Sequence, residues 1–100
     1  MTNEEFLQRY DSGKTNFTED EIMGMTYGDL GNYVDEIDGE RHRWYQEVET
    51  IFEVGGRLFA ISWDRGLTEM QENDFDEAEV YEVERKAKVI FTYEKKYVHD

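Results

Sequence analysis

Residues 48–63, VETIFEVGGRLFAISW, decide the fold because they contain two strand-like runs and the turn between them. A Gly-Gly pair flanked by β-branched and aromatic residues is typical of a two-residue hairpin turn. Opposite residues of an antiparallel pair share one face. Folding the chain at Gly55-Gly56 therefore predicts a hairpin whose shared face pairs Phe52 with Phe59, Thr50 with Ile61 and Val48 with Trp63. The same face is expected to take Trp44 and Val54, and the other face Glu47, Glu49 and Glu53.

A third strand is predicted after the hairpin, over residues 80–93. Its odd positions other than Arg85 are apolar or aromatic and its even positions include Glu and Lys, which is strand periodicity. The odd positions are Tyr81, Val83, Ala87, Val89, Phe91 and Tyr93. Residues 64–73 are predicted as a turn, in which Thr68 and Gln71 have capping-box spacing.

Helix signals fill the first 40 residues. Thr2 with Glu5, and Thr18 with Glu21, have the spacing of a capping box, and Gly13 is a stop signal for the first helix. A further helix is predicted where Leu30, Tyr33, Val34 and Ile37 follow i, i+3, i+4, i+7 spacing up to Gly39.

These patterns predict an α+β fold: an antiparallel sheet of three or more strands, with short N-terminal helices packed on one face. A chain of 100 residues is one domain. Within this single domain (1–100) we expect residues 1–40 to form the helical part, and residues 43–97 to form the hairpin and a long third strand.

The composition is strongly acidic, with 25 Asp and Glu against 11 Lys and Arg and a formal net charge of −14. Such a surface repels anionic lipid and nucleic acid, so neither a membrane nor direct nucleic-acid binding is expected. The chain has no cysteine, no signal-peptide pattern and no long apolar run. These features predict a protein of a reducing cytoplasm whose partner is basic.

No residue pattern indicates catalysis, a cofactor or a designed metal site. Ser12 and Ser62 lie outside any nucleophile motif, and His42 and His99 are far apart in sequence. The acids of residues 35–40 do not have EF-hand spacing. The expectation is therefore a protein that is not an enzyme and needs no cofactor.

The acids are clustered along the chain, and two clusters are predicted to bind a partner. The densest runs through residues 69–84 without a basic residue, and the second falls at a predicted helix C-terminus, where carboxylates oppose the helix dipole. The first cluster is Glu69, Glu72, Asp74, Asp76, Glu77, Glu79, Glu82 and Glu84; the second is Asp35, Glu36, Asp38 and Glu40. Tyr45, Phe75 and Tyr81 are candidate aromatic anchors among these acids.

Alternate carboxylates on a strand form rows of anions roughly 6.6–6.8 Å apart. Duplex DNA carries one phosphate per roughly 3.4 Å per strand, so the rows are comparable in scale but sparser. Such a surface can occupy a basic nucleic-acid channel and exclude the nucleic acid.

Three segments, WYQEVETIFE (44–53), GRLFAISW (56–63) and GLTEMQEN (66–73), carry a resemblance to the small acidic proteins of Gram-positive phages and mobile elements. Within that population the chain resembles anti-CRISPR proteins that inhibit Cas9. The resemblance implies an inhibitor of one of two kinds: one that fills a positively charged surface meant for DNA, notably the one that reads the protospacer-adjacent motif, or one that binds elsewhere and blocks a conformational change. The resemblance does not assign binding residues to positions of this chain.

The leading hypothesis is a stoichiometric inhibitor of a host nucleic-acid-binding protein, a Cas9-like nuclease, by acidic DNA mimicry. The alternative is a non-enzymatic phage or mobile-element interaction or assembly module that self-associates through its sheet. A third possibility, a metal-dependent protein, would require strong stabilisation by one particular divalent ion.

Overall fold

The computed structural model describes residues 1–68 and 72–96, with Asp76 and Glu77 described by their backbone alone. Two helices precede four strands. The helices are α1 (Asn3–Asp11) and α2 (Glu19–Thr26), and the strands are β1 (Asn32–Arg41), β2 (Tyr45–Val54), β3 (Arg57–Gly66) and β4 (Asp74–Val83). The expected α+β class, with short N-terminal helices and an antiparallel sheet, is confirmed.

The four strands form one antiparallel meander in the order β1-β2-β3-β4. The register of the central hairpin is the predicted one, with Phe52 opposite Phe59 and Val48 opposite Trp63. Gly55 and Gly56 both have positive φ, at 59° and 79°. A two-residue turn with positive φ at both positions matches the right-handed twist of the strands, and glycine adopts it without steric cost.

The helices cover one face of the sheet, which we call the helix-bearing face. Phe6 of α1 is fully buried and meets Phe52 and Phe59 edge-on, with ring centroids 5.8 and 4.9 Å away. Trp63 stacks on Phe75 at 5.1 Å beside this centre. The core of this small domain is therefore mainly aromatic, which compensates for its modest number of aliphatic residues.

Both predicted helix starts are confirmed. The Thr2 hydroxyl accepts a hydrogen bond from the Glu5 backbone N–H, and Thr18 forms a complete capping box with Glu21. These side chains satisfy N–H groups that the first helical turn leaves without partners.

The predicted helix over residues 30–37 is wrong, and so is the boundary of the helical part at residue 40. Leu30 is buried, but Gly31 turns the chain with φ +66° and residues 32–41 form β1. A Cβ at Gly31 would lie 2.3 Å from the Glu53 carbonyl oxygen, so glycine is required where the chain meets β2. Tyr33, Val34 and Ile37 favour strand once the edge of β2 is free for pairing.

The long third strand over residues 80–93 is also wrong in its bounds, because β4 begins at Asp74 and ends at Val83. Val83 lies opposite Leu58, and β3 begins one residue earlier at Arg57. Beyond that level β3 offers no partner residue to pair with. Residues 84–96 therefore continue without helix or strand.

Trp44 does not lie on the buried face as expected. It precedes β2, in the turn after β1, and 45% of its surface is exposed. The Arg43 guanidinium lies over its ring, 4.8 Å from the centroid. The predicted Thr68–Gln71 capping pattern extends beyond the described residues.

Candidate acidic interface

The face of the sheet opposite the helices, here called the open face, is defined by strand register. Direct partners share a face, and four rows of this face each run across three or more strands. The rows are Asn32–Glu53–Leu58–Val83, Asp35–Ile51–Ala60–Tyr81, Ile37–Glu49–Ser62–Glu79 and, over three strands, Glu47–Asp64–Asp74. The aromatic core lies on the other face.

One row of the open face is entirely acidic. Glu47 lies opposite Asp64, and Asp64 lies opposite Asp74, on three neighbouring strands. Like charges directly opposite one another destabilise a sheet. These acids line a groove of about 350 Å³ together with Ile37, Glu49 and Ser62. This costly arrangement is the strongest structural sign of an interface in the described part of the chain.

The predicted cluster on residues 35–40 is divided by the strand that it forms. Asp35 belongs to the open face, whereas Glu36 and Asp38 face the helix-bearing side opposite Thr50 and Val48. There Arg65 forms an ion pair with Glu36 and lies 3.7 Å from Asp38. The expected helix C-terminus does not exist, so the helix-dipole reason for singling out this cluster is wrong.

Glu40, the fourth member, lies near His42 and Glu47, where one side-chain atom of each falls within 4.8 Å of the others. His42 Nε2 is 3.2 Å from Glu47 Oε1, and this hydrogen bond raises the pKa of His42. Imidazole and carboxylate are ligands that a divalent cation accepts. All three residues are exposed, and the His42–Glu47 pair already satisfies two of the atoms.

The predicted cluster on residues 69–84 is also divided. Asp74 and Glu79 lie on the open face, while Glu82 lies on the helix-bearing side opposite Phe59. Exposed Glu72 precedes β4, and Glu84 follows it with its carboxylate 3.9 Å from the Lys86 ammonium. Asp76 and Glu77 lie within β4, and Glu69 lies outside the described residues.

Glu82 has a structural role. Arg57 donates two hydrogen bonds to its carboxylate, at 2.9 and 3.0 Å, and two more to Asp11 at the end of α1. The hydrogen bonds from Arg57 lower the pKa of both carboxyl groups. Glu82 therefore links β4 to β3 and α1, and its predicted contact with a partner stays a prediction.

The two predicted clusters lie at opposite edges of the sheet, roughly 14 Å apart across β2 and β3. The open-face acids between them, which neither predicted cluster includes, are Glu47, Glu49, Glu53 and Asp64. The signal for three of them was present, because alternation had placed Glu47, Glu49 and Glu53 opposite the buried face. Asp64 was missed because it was assigned to a turn.

The three predicted aromatic anchors differ in how far the structure buries them. Phe75 is buried against Trp63, so it is not available to a partner. Tyr45 is half-buried at the start of β2. Tyr81 is half-buried on the open face, where its hydroxyl donates to Glu49 Oε2 at 2.7 Å and lies 3.1 Å from Ser62 Oγ. Burial raises the pKa of Tyr81.

Basic residues are segregated from the open face. Arg57 and Arg65, the arginines of β3, occupy odd positions on the helix-bearing side and pair with acids there. Among the strand positions that the structure describes, none on the open face is Lys or Arg. The structure thus places the arginines of β3 beside acids on one side, while the described strand positions of the other side carry acids and no Lys or Arg.

No protein-family model, curated protein or solved structure matches this chain. Within the described residues, neither helix has the length and apolar character that a bilayer crossing requires. The fold and the site together define an α+β protein with an acidic, helix-free sheet face.

Proposed function

We propose that this chain is a stoichiometric inhibitor of a host nucleic-acid-binding protein, and that it is an anti-CRISPR protein acting on Cas9 by DNA mimicry. The open face would occupy a basic nucleic-acid channel in the cytoplasm of the bacterial host. The observation that carries the proposal is the segregation of charge between the two sheet faces: Arg57 and Arg65 lie on one, and the described strand positions of the other carry acids and no Lys or Arg.

The dimensions of the open face support mimicry. Glu47 and Glu49 alternate along β2, roughly 6.6–6.8 Å apart, and Glu47, Asp64 and Asp74 follow one another across adjacent strands. The array is two-dimensional, with anions along and across the strands. Cas9 holds its nucleic acids in positively charged channels and reads the protospacer-adjacent motif with arginines.

Inhibition by occupancy needs no catalytic group. It needs charge complementarity, which speeds encounter and selects basic partners, and a rigid presentation of the charges. The central hairpin provides that rigidity, because Phe52 and Phe59 beneath the open face are almost completely buried.

A competition assay tests this function. Guide-loaded Cas9 is bound to a fluorescent duplex that carries the target and its protospacer-adjacent motif, and the chain is titrated in while anisotropy is recorded. The expected result is displacement that saturates at one chain per Cas9 and weakens steeply as salt rises from about 50 to 200 mM.

Matched variants locate the contact surface. The open-face variant Glu47→Gln, Glu49→Gln, Asp64→Asn, Glu79→Gln should inhibit at least about tenfold more weakly. The control Glu4→Gln, Glu19→Gln, Asp20→Asn, Asp29→Asn removes the same charge outside the open face and should inhibit like the parent. Thermal unfolding confirms that both variants fold.

A third variant changes Asp74, Asp76, Glu77 and Glu79 to Lys and reverses the charge of β4 alone. Strong loss there, with little loss in the open-face variant, would assign the contact to the β4 edge. No displacement of DNA by the parent at tenfold excess and low salt would show that Cas9 is not the target. Equal inhibition by all variants would show that acidic mimicry is not the mechanism.

A further inference from the structure

Residues 85–96, here called the basic segment, differ from the rest of the chain in charge. They contain five of the 11 basic residues and only one of the 25 acids. The five are Arg85, Lys86, Lys88, Lys95 and Lys96. The remainder of the protein is correspondingly more acidic than the overall charge of −14 indicates.

The basic segment also exposes an unusual amount of apolar surface. Val89, Ile90, Phe91 and Tyr93 are 73–96% exposed. Scattered exposed apolar residues are ordinary, but a contiguous group of this kind marks an interaction site. Its Val, Ile, Phe, Thr and Tyr residues favour β-strand, and its alternation is that of a strand.

Within the described sheet the basic segment pairs with no strand, because β3 does not extend far enough to pair with it. Val83 pairs with Leu58, and β3 begins at Arg57, directly after the Gly55-Gly56 turn, so β3 has only one residue beyond the Leu58–Val83 pair. A strand-forming sequence therefore extends past the end of its own sheet. The chain measures 68 Å along its longest axis and 20 Å along its shortest.

The two edges of the sheet are not equally open. On β4 the Tyr10 hydroxyl accepts the Glu82 backbone N–H at 2.9 Å, so α1 covers part of that edge. On β1 every residue is exposed except half-buried Val34, and β2 is its one neighbour in the described sheet. An exposed edge strand is a template for pairing with a further strand.

Charge matches this edge to the basic segment. β1 carries Asp35, Glu36, Asp38 and Glu40, of which Glu36 and Asp38 already lie beside Arg65, whereas the basic segment carries Lys86 and Lys88 at alternate positions. Acids on an edge strand discourage pairing with another acidic strand. Two basic segments would repel each other for the same reason, so the complementary pair is the basic segment with β1.

The sequence of the segment favours pairing between two molecules. Residues 84–96 contain no Gly, Pro, Asn or Asp, the residues that form tight turns. Reaching β1 of the same sheet would require reversing direction and crossing roughly 14 Å of sheet width. A segment that does not turn back is better placed to pair with the sheet edge of another molecule.

We propose that two copies of this chain form a symmetric dimer in which the basic segment of each pairs as a β-strand with β1 of the other. In such a symmetric dimer both basic segments and both β1 edges are paired, so no further copy can add through the same contact. The proposal stands independently of the target of the open face, because the dimer is held by the strand edge.

Charge reversal on each side of the proposed contact provides the test, with mass measured by sedimentation at about 100 μM. The parent chain is expected at twice its 12.0 kDa mass. The variant Lys86→Glu, Lys88→Glu has two acidic surfaces and should be monomeric. The variant Asp35→Lys, Glu40→Lys has two basic surfaces and should also be monomeric.

Mixing the two variants is the decisive step. Each acidic surface then meets a basic one in both halves of the exchange, so an equimolar mixture should regain the mass of a dimer. The control variant Lys14→Glu, Arg43→Glu has the same net charge as the first variant and should remain dimeric. Thermal unfolding of each variant verifies its fold.

A monomeric parent at this concentration would overturn the proposal. A dimer that survives both charge reversals would overturn it as well, since association would then use another surface. Mixed variants that stay monomeric would show that the basic segment and β1 do not pair. None of these outcomes depends on Cas9, so the dimer and the inhibitory function fail separately.

Discussion

The Tyr81 hydroxyl donates a hydrogen bond to Glu49 Oε2 over 2.7 Å, which ties β4 to β2 across the intervening strand β3. This contact lies on the open face, above Ala60, which is fully buried although no helix packs on that face. We therefore expect Tyr81→Phe to lower the free energy of unfolding by about 0.5–1.5 kcal/mol. Urea denaturation of the parent and the variant measures this change in the free energy of unfolding.

Tyr33→Phe is the matched control, because Tyr33 is 60% exposed on the outer strand β1. Its effect should stay within about 0.5 kcal/mol. Equal effects of the two substitutions would show that the hydrogen bond between Tyr81 and Glu49 adds no stability.

Arg57 links Asp11 of α1 to Glu82 of β4, and it predicts a pH dependence. The hydrogen bonds lower the folded pKa of both carboxyl groups, so they contribute stability above the unfolded pKa values, near 4. That contribution is lost as the pH falls through the lower folded values. Arg57→Gln should therefore lower the melting temperature at pH 7, and the difference from the parent should shrink as the pH falls below about 4.

Melting curves between pH 2.5 and 7 measure this convergence. Arg43→Gln removes the same charge without an ion pair between helix and strand, and its offset should not depend on pH in that range. A constant offset for Arg57→Gln would contradict the role of the two carboxylates.

Asp64 is the middle member of the acidic row Glu47–Asp64–Asp74, where it has a carboxylate opposite it on each side. Asp64→Asn removes that repulsion and should raise the free energy of unfolding by about 0.2–1 kcal/mol at low salt. The gain should diminish in 1 M salt, where the screening length falls to about 3 Å.

Glu53→Gln is the control for Asp64→Asn. It removes one negative charge from the same face, but its cross-strand neighbours are the uncharged Asn32 and Leu58. Its gain should be smaller. If Asp64→Asn destabilises the protein, the acidic row is not a source of strain.

His42 should titrate above its ordinary pKa of about 6.5, because Glu47 accepts a hydrogen bond from the charged imidazole. The interaction stabilises the fold fully below pH 6.5, and this contribution is lost as the pH rises through the higher folded pKa. An NMR titration of the His42 ring protons measures the pKa. Glu47→Gln should lower it, whereas Glu53→Gln should leave it nearly unchanged, and an unaffected pKa in Glu47→Gln would contradict the assignment.

Short-range sequence patterns predicted those elements whose formation depends mainly on residues close together in the chain. The Gly55-Gly56 turn set the register of β2 and β3, because a two-residue loop permits one pairing and the buried face of that pairing includes Phe52 and Phe59. The capping boxes set the starts of α1 and α2 for a similar reason, since their hydrogen bonds join residues only three positions apart.

The prediction failed where long-range pairing decided the structure. Leu30 to Ile37 has helical spacing, yet Gly31 and the free edge of β2 make residues 32–41 a strand. That change divides the acids of β1 between two faces. Asp35 lies on the open face, whereas Glu36 and Asp38 lie on the helix-bearing face. The open-face position of Asp64 could not be predicted for a related reason. Its place beside Glu47 depends on how far β3 extends.

The sequence by itself determined the charge, the aromatic core and the central hairpin, since composition and near-neighbour spacing are local properties of the chain. The tertiary structure alone decided which acids share a surface. Register places Glu47, Asp64 and Asp74 in one row although they are far apart in sequence, and it assigns Glu82 to Arg57. The physical reason is that each strand alternates between two faces, so a carboxylate's surroundings depend on pairings made by distant residues.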